Sequence, residues 1–201
     1  MTNLTLIIPT KKEAESLPKF LQEIKDLDYI KLIVLQKEDI ETKNAIKNFS
    51  KIKILEQKNN GYGNALIEGI NNTETEYCCI INADGSMDPK YLKEMFNECQ
   101  SRDFVFGSRY QKPGGGSDDD DIVTLMGNFI FTFLGNLLYN LKITDILYTY
   151  ILAKTSSMKK LNLKRSDFRI CVELPIKAKF LNMRYTCLPS YERQRIGGGK
   201  K

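Results

Sequence analysis

Short apolar runs alternate with amphipathic helical stretches through the first hundred residues, and that alternation restricts the fold more than any other feature of this chain. Leu4-Thr5-Leu6-Ile7-Ile8 reads as a buried strand ended by Pro9-Thr10. Leu17, Phe20, Leu21 and Ile24 then recur at helical spacing. The pattern predicts strands over 29–35, 52–55, 77–81 and 104–106, with helices over 38–49, from Gly61 to Ile70, and from Asp88-Pro89 to about Cys99. Asp88 followed by Pro89 is a helix start, a cap and then a proline at the first helical position. Strands that are apolar on both sides belong in a sheet covered on both faces, so the expected fold is α/β with a mostly parallel sheet. Ligands of such sheets bind beyond the carboxyl ends of the strands. Three unusual segments fall there: 9–13, 82–88 and 107–121.

At 201 residues the chain suits one domain of about 150 residues with some extension. The 42% hydrophobic and 27% charged residues exclude a disordered chain or a multi-pass membrane protein. There is no histidine, which excludes a Ser-His-Asp triad, a Cys-His pair and His-ligated zinc. Cys78, Cys79, Cys99, Cys171 and Cys187 form no C-x-x-C pair, consistent with a reduced, cytoplasmic interior. Met1 to Thr10 is too short for a secretory signal before the charged Lys11-Lys12-Glu13. The net charge of +5 is too modest, and the Asp118–Asp121 run too acidic, for nucleic-acid binding.

From Ile122 to Leu141 no residue is charged, a length that would suit a membrane span. Thr124, Asn128, Thr132, Asn136 and Asn140 recur every four residues, however, and make a polar stripe. Amides exposed to lipid are costly, so a core or interfacial helix is expected rather than a span, with partner binding as the other option. A helix over 167–181 and a strand over 184–188 complete the pattern. The tail from Tyr191 to Lys201 is basic and glycine-rich.

Asn82-Ala83-Asp84-Gly85-Ser86 follows a buried strand. Asp84, with Asn82 and Ser86 as weaker neighbours, offers hard oxygen ligands to Mg²⁺ or Mn²⁺, while the same segment also reads as an Asx turn before the Pro89 helix. Gly61-Tyr62-Gly63-Asn64 opens a helix whose amides face either a phosphate or a simple turn. Arg109 meets a phosphate or stands solvated. The basic tail clamps a diphosphate or a lipid head group, or frays. Gly114 to Asp121 reads as a mobile, solvated loop in which Asp118 could serve as a base.

Taken in order, these segments resemble family 2 glycosyltransferases, and among them the dolichyl- and polyprenyl-phosphate sugar transferases. Ile8-Pro9-Thr10 with Glu13-Ala14-Glu15-Ser16-Leu17, Gly61-Tyr62-Gly63-Asn64-Ala65-Leu66, Ala83-Asp84-Gly85-Ser86, Gly107-Ser108-Arg109-Tyr110, Ile143-Thr144-Asp145, the helix residue Glu173 and the Arg193 to Lys200 tail carry the likeness. The resemblance implies a GT-A (Rossmann-like), three-layer domain over 1–201, with a nucleotide-sugar half at 1–107 and an acceptor half at 108–201. It implies inverting transfer from a nucleotide-diphosphate sugar, with Mg²⁺ or Mn²⁺, to a polyprenyl phosphate or a glycan or glycolipid, in cell-surface polysaccharide or wall synthesis at the inner membrane face.

By the same resemblance, Pro9, Thr10, Glu13, Gly61, Asn64, Asn82 and Asp84 bind the donor. Asp84 and Asn82 hold the metal. Arg109, Arg193, Arg195 and Lys200 meet phosphates. Asp84 and Arg109 serve catalysis, and Asp118 of the acidic loop, read from the residues alone, is the candidate base for a hydroxyl acceptor. The chain departs from the pattern at Gln36-Lys37, where an acidic pair is usual, at Asn82 and at Lys12. A nucleotidylyltransferase would need a glycine-rich loop after the first strand, and Pro9 to Glu13 has none. A non-catalytic nucleotide-sugar-binding or membrane-partner relative is the other reading, motivated by the departures.

Overall fold

The computed structural model describes residues 3–197. Its strands are β1 (Leu4–Thr10), β2 (Ile30–Leu35), β3 (Ile52–Glu56), β4 (Tyr77–Ile80), β5 (Phe104–Ser108), β6 (Gly116–Ser117), β7 (Ile151–Lys154), β8 (Tyr185–Pro189) and β9 (Tyr191–Glu192). Its helices are α1 (Ser16–Glu23), α2 (Ile40–Ile46), α3 (Tyr62–Asn71), α4 (Leu92–Cys99), α5 (Ile122–Tyr139), α6 (Thr155–Lys160) and α7 (Ile170–Phe180). Seven strands form one sheet in the order β3-β2-β1-β4-β7-β5-β8. Only β7 runs antiparallel, between β4 and β5. The sheet draws β7 and β8 from beyond residue 107, so both halves of the chain build it.

Alternation along the strands decides what each face holds. Leu4, Leu6 and Ile8 point into the cluster closed by Leu17, Phe20 and Leu21 of α1 and by Leu92 and Met95 of α4. Ile7, between them, points into the opposite cluster with Leu66 of α3 and Leu174 of α7. Every residue of β1 is buried, as two-sided cover requires. This is the three-layer α/β arrangement. The five cysteines are free thiols, and burial pushes those of Cys78, Cys99 and Cys171 up to about 12.

Four elements differ from the sequence reading. β7 and α6 were not expected, because Tyr148 to Lys154 continues directly into Thr155 with no turn signal. The Pro89 start is a short 3₁₀ turn, capped by Asp88 accepting from Lys90 N at 2.9 Å, that leads into α4. The uncharged helix forms but turns its polar stripe inward. Asn128 donates to Asp145 at 2.7 Å, Thr132 Oγ1 accepts from Ile146 N at 3.1 Å, and Asn136 exchanges two bonds with Ile143. Only Asn128, Thr132 and Gly135 of this helix are buried, so it is not a core helix.

Close backbone approach fixes the start of α3. A Cβ on Gly63 would lie 2.0 Å from the Arg165 carbonyl oxygen, and Asn64 N donates to Ser166 O at 3.3 Å. Glu173 holds that facing loop from behind, accepting from Lys164 N and Arg165 N at 2.8–3.0 Å. Gly63→Ala is expected to destabilise the fold by about 1–3 kcal/mol, because a backbone carbonyl cannot give way as a side chain can. Urea unfolding measures it.

Candidate functional site

With parallel strands, β1, β2, β3, β4 and β5 end at one edge of the sheet. The strand order reverses between β1 and β4, the place where such sheets open a crevice. A cavity of about 490 Å³ lies there. Its walls take residues that follow the strand ends: Pro9 and Thr10 at β1, Gln36 after β2, Gln57 after β3, Asn82 and Asp84 after β4, and Arg109 after β5.

The loop after β1 is pinned to α2. Lys12 sits at φ 55, its N–H donates to Asp39 Oδ2 at 2.6 Å, and Glu13 N donates to Thr42 Oγ1 at 3.0 Å. Asp39 also caps α2 through Thr42 N. Sequence reasoning passed over Asp39, although an aspartate before Ile40 is a cap signal. On the opposite wall Tyr62 stacks on Phe168 with ring centroids 4.6 Å apart, and its hydroxyl meets Thr149 at 2.7 Å.

Asp84 closes an Asx turn, its Oδ1 accepting from Ser86 N at 3.0 Å and Ser86 Oγ at 2.8 Å. That leaves Oδ2 for a ligand. Among the described residues no three His, Cys, Asp or Glu side chains gather as a metal cluster. Asp84 and the Asn82 carbonyl are hard donors but too few to cage a cation alone. They fit Mg²⁺ or Mn²⁺ only when a ligand's phosphate oxygens complete the shell.

Arg109 sits behind this cavity, 7% exposed. Its Nε and Nη2 donate to the two oxygens of Asp145 at 2.8 and 3.0 Å. Its Nη1 donates to Asp120 and to Glu192, each at 3.1 Å. The guanidinium also lies over the rings of Tyr148 and Tyr110, at 4.7 and 5.2 Å. Burial works to lower the Arg109 pKa, but hydrogen bonds to Asp145 outweigh it and hold the cation charged. Burial raises the Glu192 carboxyl above its ordinary 4.5, against the pull of Arg109.

The structure brings Pro9, Thr10, Glu13, Gly61, Asn82, Asp84, Arg109 and Arg195 to one cavity. It corrects four of the sequence expectations. Asn64 faces away, its amide donating to Asn60 O at 2.7 Å. Asp118 is exposed outside the cavity and accepts from Tyr191 OH at 2.5 Å. Arg193 is spent on Glu23 and on the Gly85 carbonyl. Arg109 is neither solvated nor free for bidentate work, since four of its side-chain hydrogen bonds already go to carboxylates. Lys200 lies outside the described residues. The loop expected to be mobile is held in place, with Gly116–Ser117 paired to Tyr191–Glu192 and Asp119 bound to Arg195.

Glu192, Tyr148 and Phe168 line the cavity and were not singled out from sequence. A lone glutamate in a basic tail gives no signal of its own.

The family model described as glycosyl transferase family 2 matches residues 5–161. Among solved structures, glucosyl-3-phosphoglycerate synthase from Mycobacterium tuberculosis with Mn²⁺, UDP and glucosyl-3-phosphoglycerate is similar. It has a TM-score of 0.73 and 11% identity over 98% of this chain and 72% of that one. The same enzyme with Mn²⁺, UDP and phosphoglyceric acid gives 0.73 at 12% identity, covering 98% and 71%. At these identities the likeness is one of fold.

Asp145→Ala should lower stability by about 3–5 kcal/mol, because it strips a buried cation of its bidentate partner. Glu192 makes a separate, pH-dependent prediction. The folded protein holds its proton more tightly than the unfolded chain does, so stability falls as pH rises from about 4.5 through the folded-state value. Glu192→Gln should flatten that fall in urea midpoints measured between about pH 4 and pH 7.

Proposed function

From this chain's membership of glycosyl transferase family 2, to which it belongs by a match over residues 5–161, we propose that it moves a sugar with inversion from a nucleotide-diphosphate sugar to a membrane-borne acceptor at the inner membrane face. The acceptor is a polyprenyl phosphate or a glycan or glycolipid of cell-surface polysaccharide or wall synthesis. The observation that carries this reading is the convergence on one cavity of Asp84, Asn82, the β1 end and Arg195 from distant parts of the chain.

The residues divide the work as follows. Gln36 presents its amide to a nucleobase, and Thr10 and Gln57, whose donors go to the Ile8, Asn59 and Gly61 carbonyls, present acceptor oxygens, with uncharged Gln36 standing where the family resemblance expects an acid. The exposed Phe168 ring stacked on Tyr62 gives a flat apolar wall. Asp84 and Asn82 would hold Mg²⁺ or Mn²⁺ against the diphosphate, where the bound cation would supply charge neutralisation for the leaving group. Arg195, held by Asp119, lines the same cavity and can turn a guanidinium edge toward the diphosphate.

In the transfer, the acceptor oxygen bonds to the anomeric carbon as the bond to the diphosphate breaks, and the electron pair leaves with the nucleoside diphosphate. A phosphate acceptor is already an anion and needs no base. A hydroxyl acceptor must lose a proton, and Glu192 is the lining carboxylate whose raised pKa suits it to take one. The similar mycobacterial enzyme is described with Mn²⁺, UDP and a phosphorylated small acid, which supports a metal-assisted donor site facing an anionic acceptor.

Calorimetric titration with UDP-, GDP- and CDP-sugars, with and without Mn²⁺, tests the reading. One donor should bind in a Mn²⁺-dependent way. Asp84→Ala should weaken that binding about 100-fold, some 2.7 kcal/mol, while Asp118→Ala leaves it unchanged. A folded protein that binds none of the three donors would overturn the proposal. Donor binding without turnover would instead support a non-catalytic relative.

A further inference from the structure

The outward face of α5 is the largest feature that the catalytic reading leaves unused. This 18-residue helix, about 27 Å long, is uncharged. Twelve of its large apolar side chains are exposed, Phe129 at 72% and Leu137 at 66% among them. Scattered exposed apolar residues are ordinary, but a continuous helical face of them is not. The helix is long and apolar enough to cross a membrane. Its polar stripe nevertheless binds Asp145, Ile146 and Ile143 of the same domain, which holds it lengthwise against the protein. The apolar face therefore lies along the surface of the domain.

The apolar surface continues past the helix end. Tyr139 meets Phe180 edge-on at 6.0 Å, and Phe180 and Leu181 are themselves exposed at 67% and 48%. Beside this junction lies an open cavity of about 450 Å³ whose charged lining residues are all cations: Arg102, Lys142, Lys179 and Arg184. Arg102 reaches Glu98 at 3.3 Å and Arg184 reaches Asp103 at 3.9 Å. Lys142 and Lys179 have no carboxylate partner within 4 Å among the described residues. Tyr185 OH donates to Leu141 O at 2.5 Å and closes the cavity onto the end of α5.

At the other end of the helix two of the four acidic residues are paired with arginines, while exposed Asp118 accepts from Tyr191 OH. Asp119 pairs with Arg195, Asp120 with Arg109 and Tyr110, and Asp121 caps α5 at Thr124 N.

We infer that this protein docks on a lipid bilayer carrying anionic head groups, with the apolar face of α5, Phe180 and Leu181 entering the acyl boundary. Lipid phosphates sit against Lys142 and Lys179. An apolar face with Lys142 and Lys179 at its C-terminal end matches a negatively charged leaflet there in both its parts. The helix stays packed through its polar stripe, so docking needs no refolding. The inference rests on the α5 surface and stands whether or not the transfer reaction proposed above is correct.

Flotation of the full chain with phosphatidylcholine vesicles, with and without phosphatidylglycerol, tests it. The protein should float with the anionic vesicles and release at high salt. Phe129→Glu with Leu137→Glu should reduce binding at least tenfold. Lys142→Glu with Lys179→Glu should reduce binding to the anionic vesicles about tenfold or more. Circular dichroism shows whether each variant is folded, and both pairs are on the surface. Wild-type protein that stays unbound to either vesicle would overturn the inference, as would unchanged binding by a folded Phe129→Glu/Leu137→Glu protein. A dimer in light scattering that the same pair dissociates, without vesicle binding, would assign the face to a second copy instead. Nucleotide-sugar calorimetry on the same samples reports the donor site separately.

Discussion

One buried guanidinium ties distant segments of the second half of this molecule together. Arg109 leaves β5 and meets Asp120, Asp145 and Glu192, carboxylates 11, 36 and 83 residues further along the chain. A charge this deeply buried is tolerated only when paired and hydrogen-bonded. The loop before α5, the segment before β7 and the short strand β9 must therefore all arrive together. The chemistry of a fully engaged arginine differs from that of a free one. It shapes the wall of the cavity and sets the charge around Glu192 more than it offers donors to a ligand.

The same network extends to α5. Asn128 donates to the Asp145 oxygen that also accepts from Arg109 Nη2. The helix is thus fastened by its polar stripe to the core of the site, and its apolar residues have nowhere to go but outward. Cavity and surface helix are two faces of one hydrogen-bonded unit. If the acceptor is carried in a bilayer, this joint would place the cavity mouth and the lipid surface in a fixed relation.

Much of the fold was legible because it rests on local periodicity. The apolar runs of β1 and β4, the helical spacing of Leu17, Phe20, Leu21 and Ile24, and the Asp88-Pro89 start each carry their meaning within a few residues. The strand-end wall of the cavity followed, since Pro9, Thr10, Asn82 and Asp84 stand at strand ends, and parallel strands bring their ends to one edge. Antiparallel β7 was not legible. It enters the sheet between β4 and β5, which precede it in the chain, and nothing local to Ile151–Lys154 announces that neighbourhood.

The sequence by itself determined the layered α/β architecture, the sheet edge where the cavity opens, and the existence of an uncharged helix with a polar stripe. These follow from side-chain periodicity, which is a property of neighbouring residues. Only the tertiary structure decided which way that stripe points, that Arg109 is consumed by carboxylates, that Asp118 and Asn64 stand outside the cavity, and that Glu192 stands within it. For the stripe, Arg109 and Glu192 this depends on which partner a polar group finds when it is buried. The partners lie up to 83 residues apart, and burial makes that pairing compulsory.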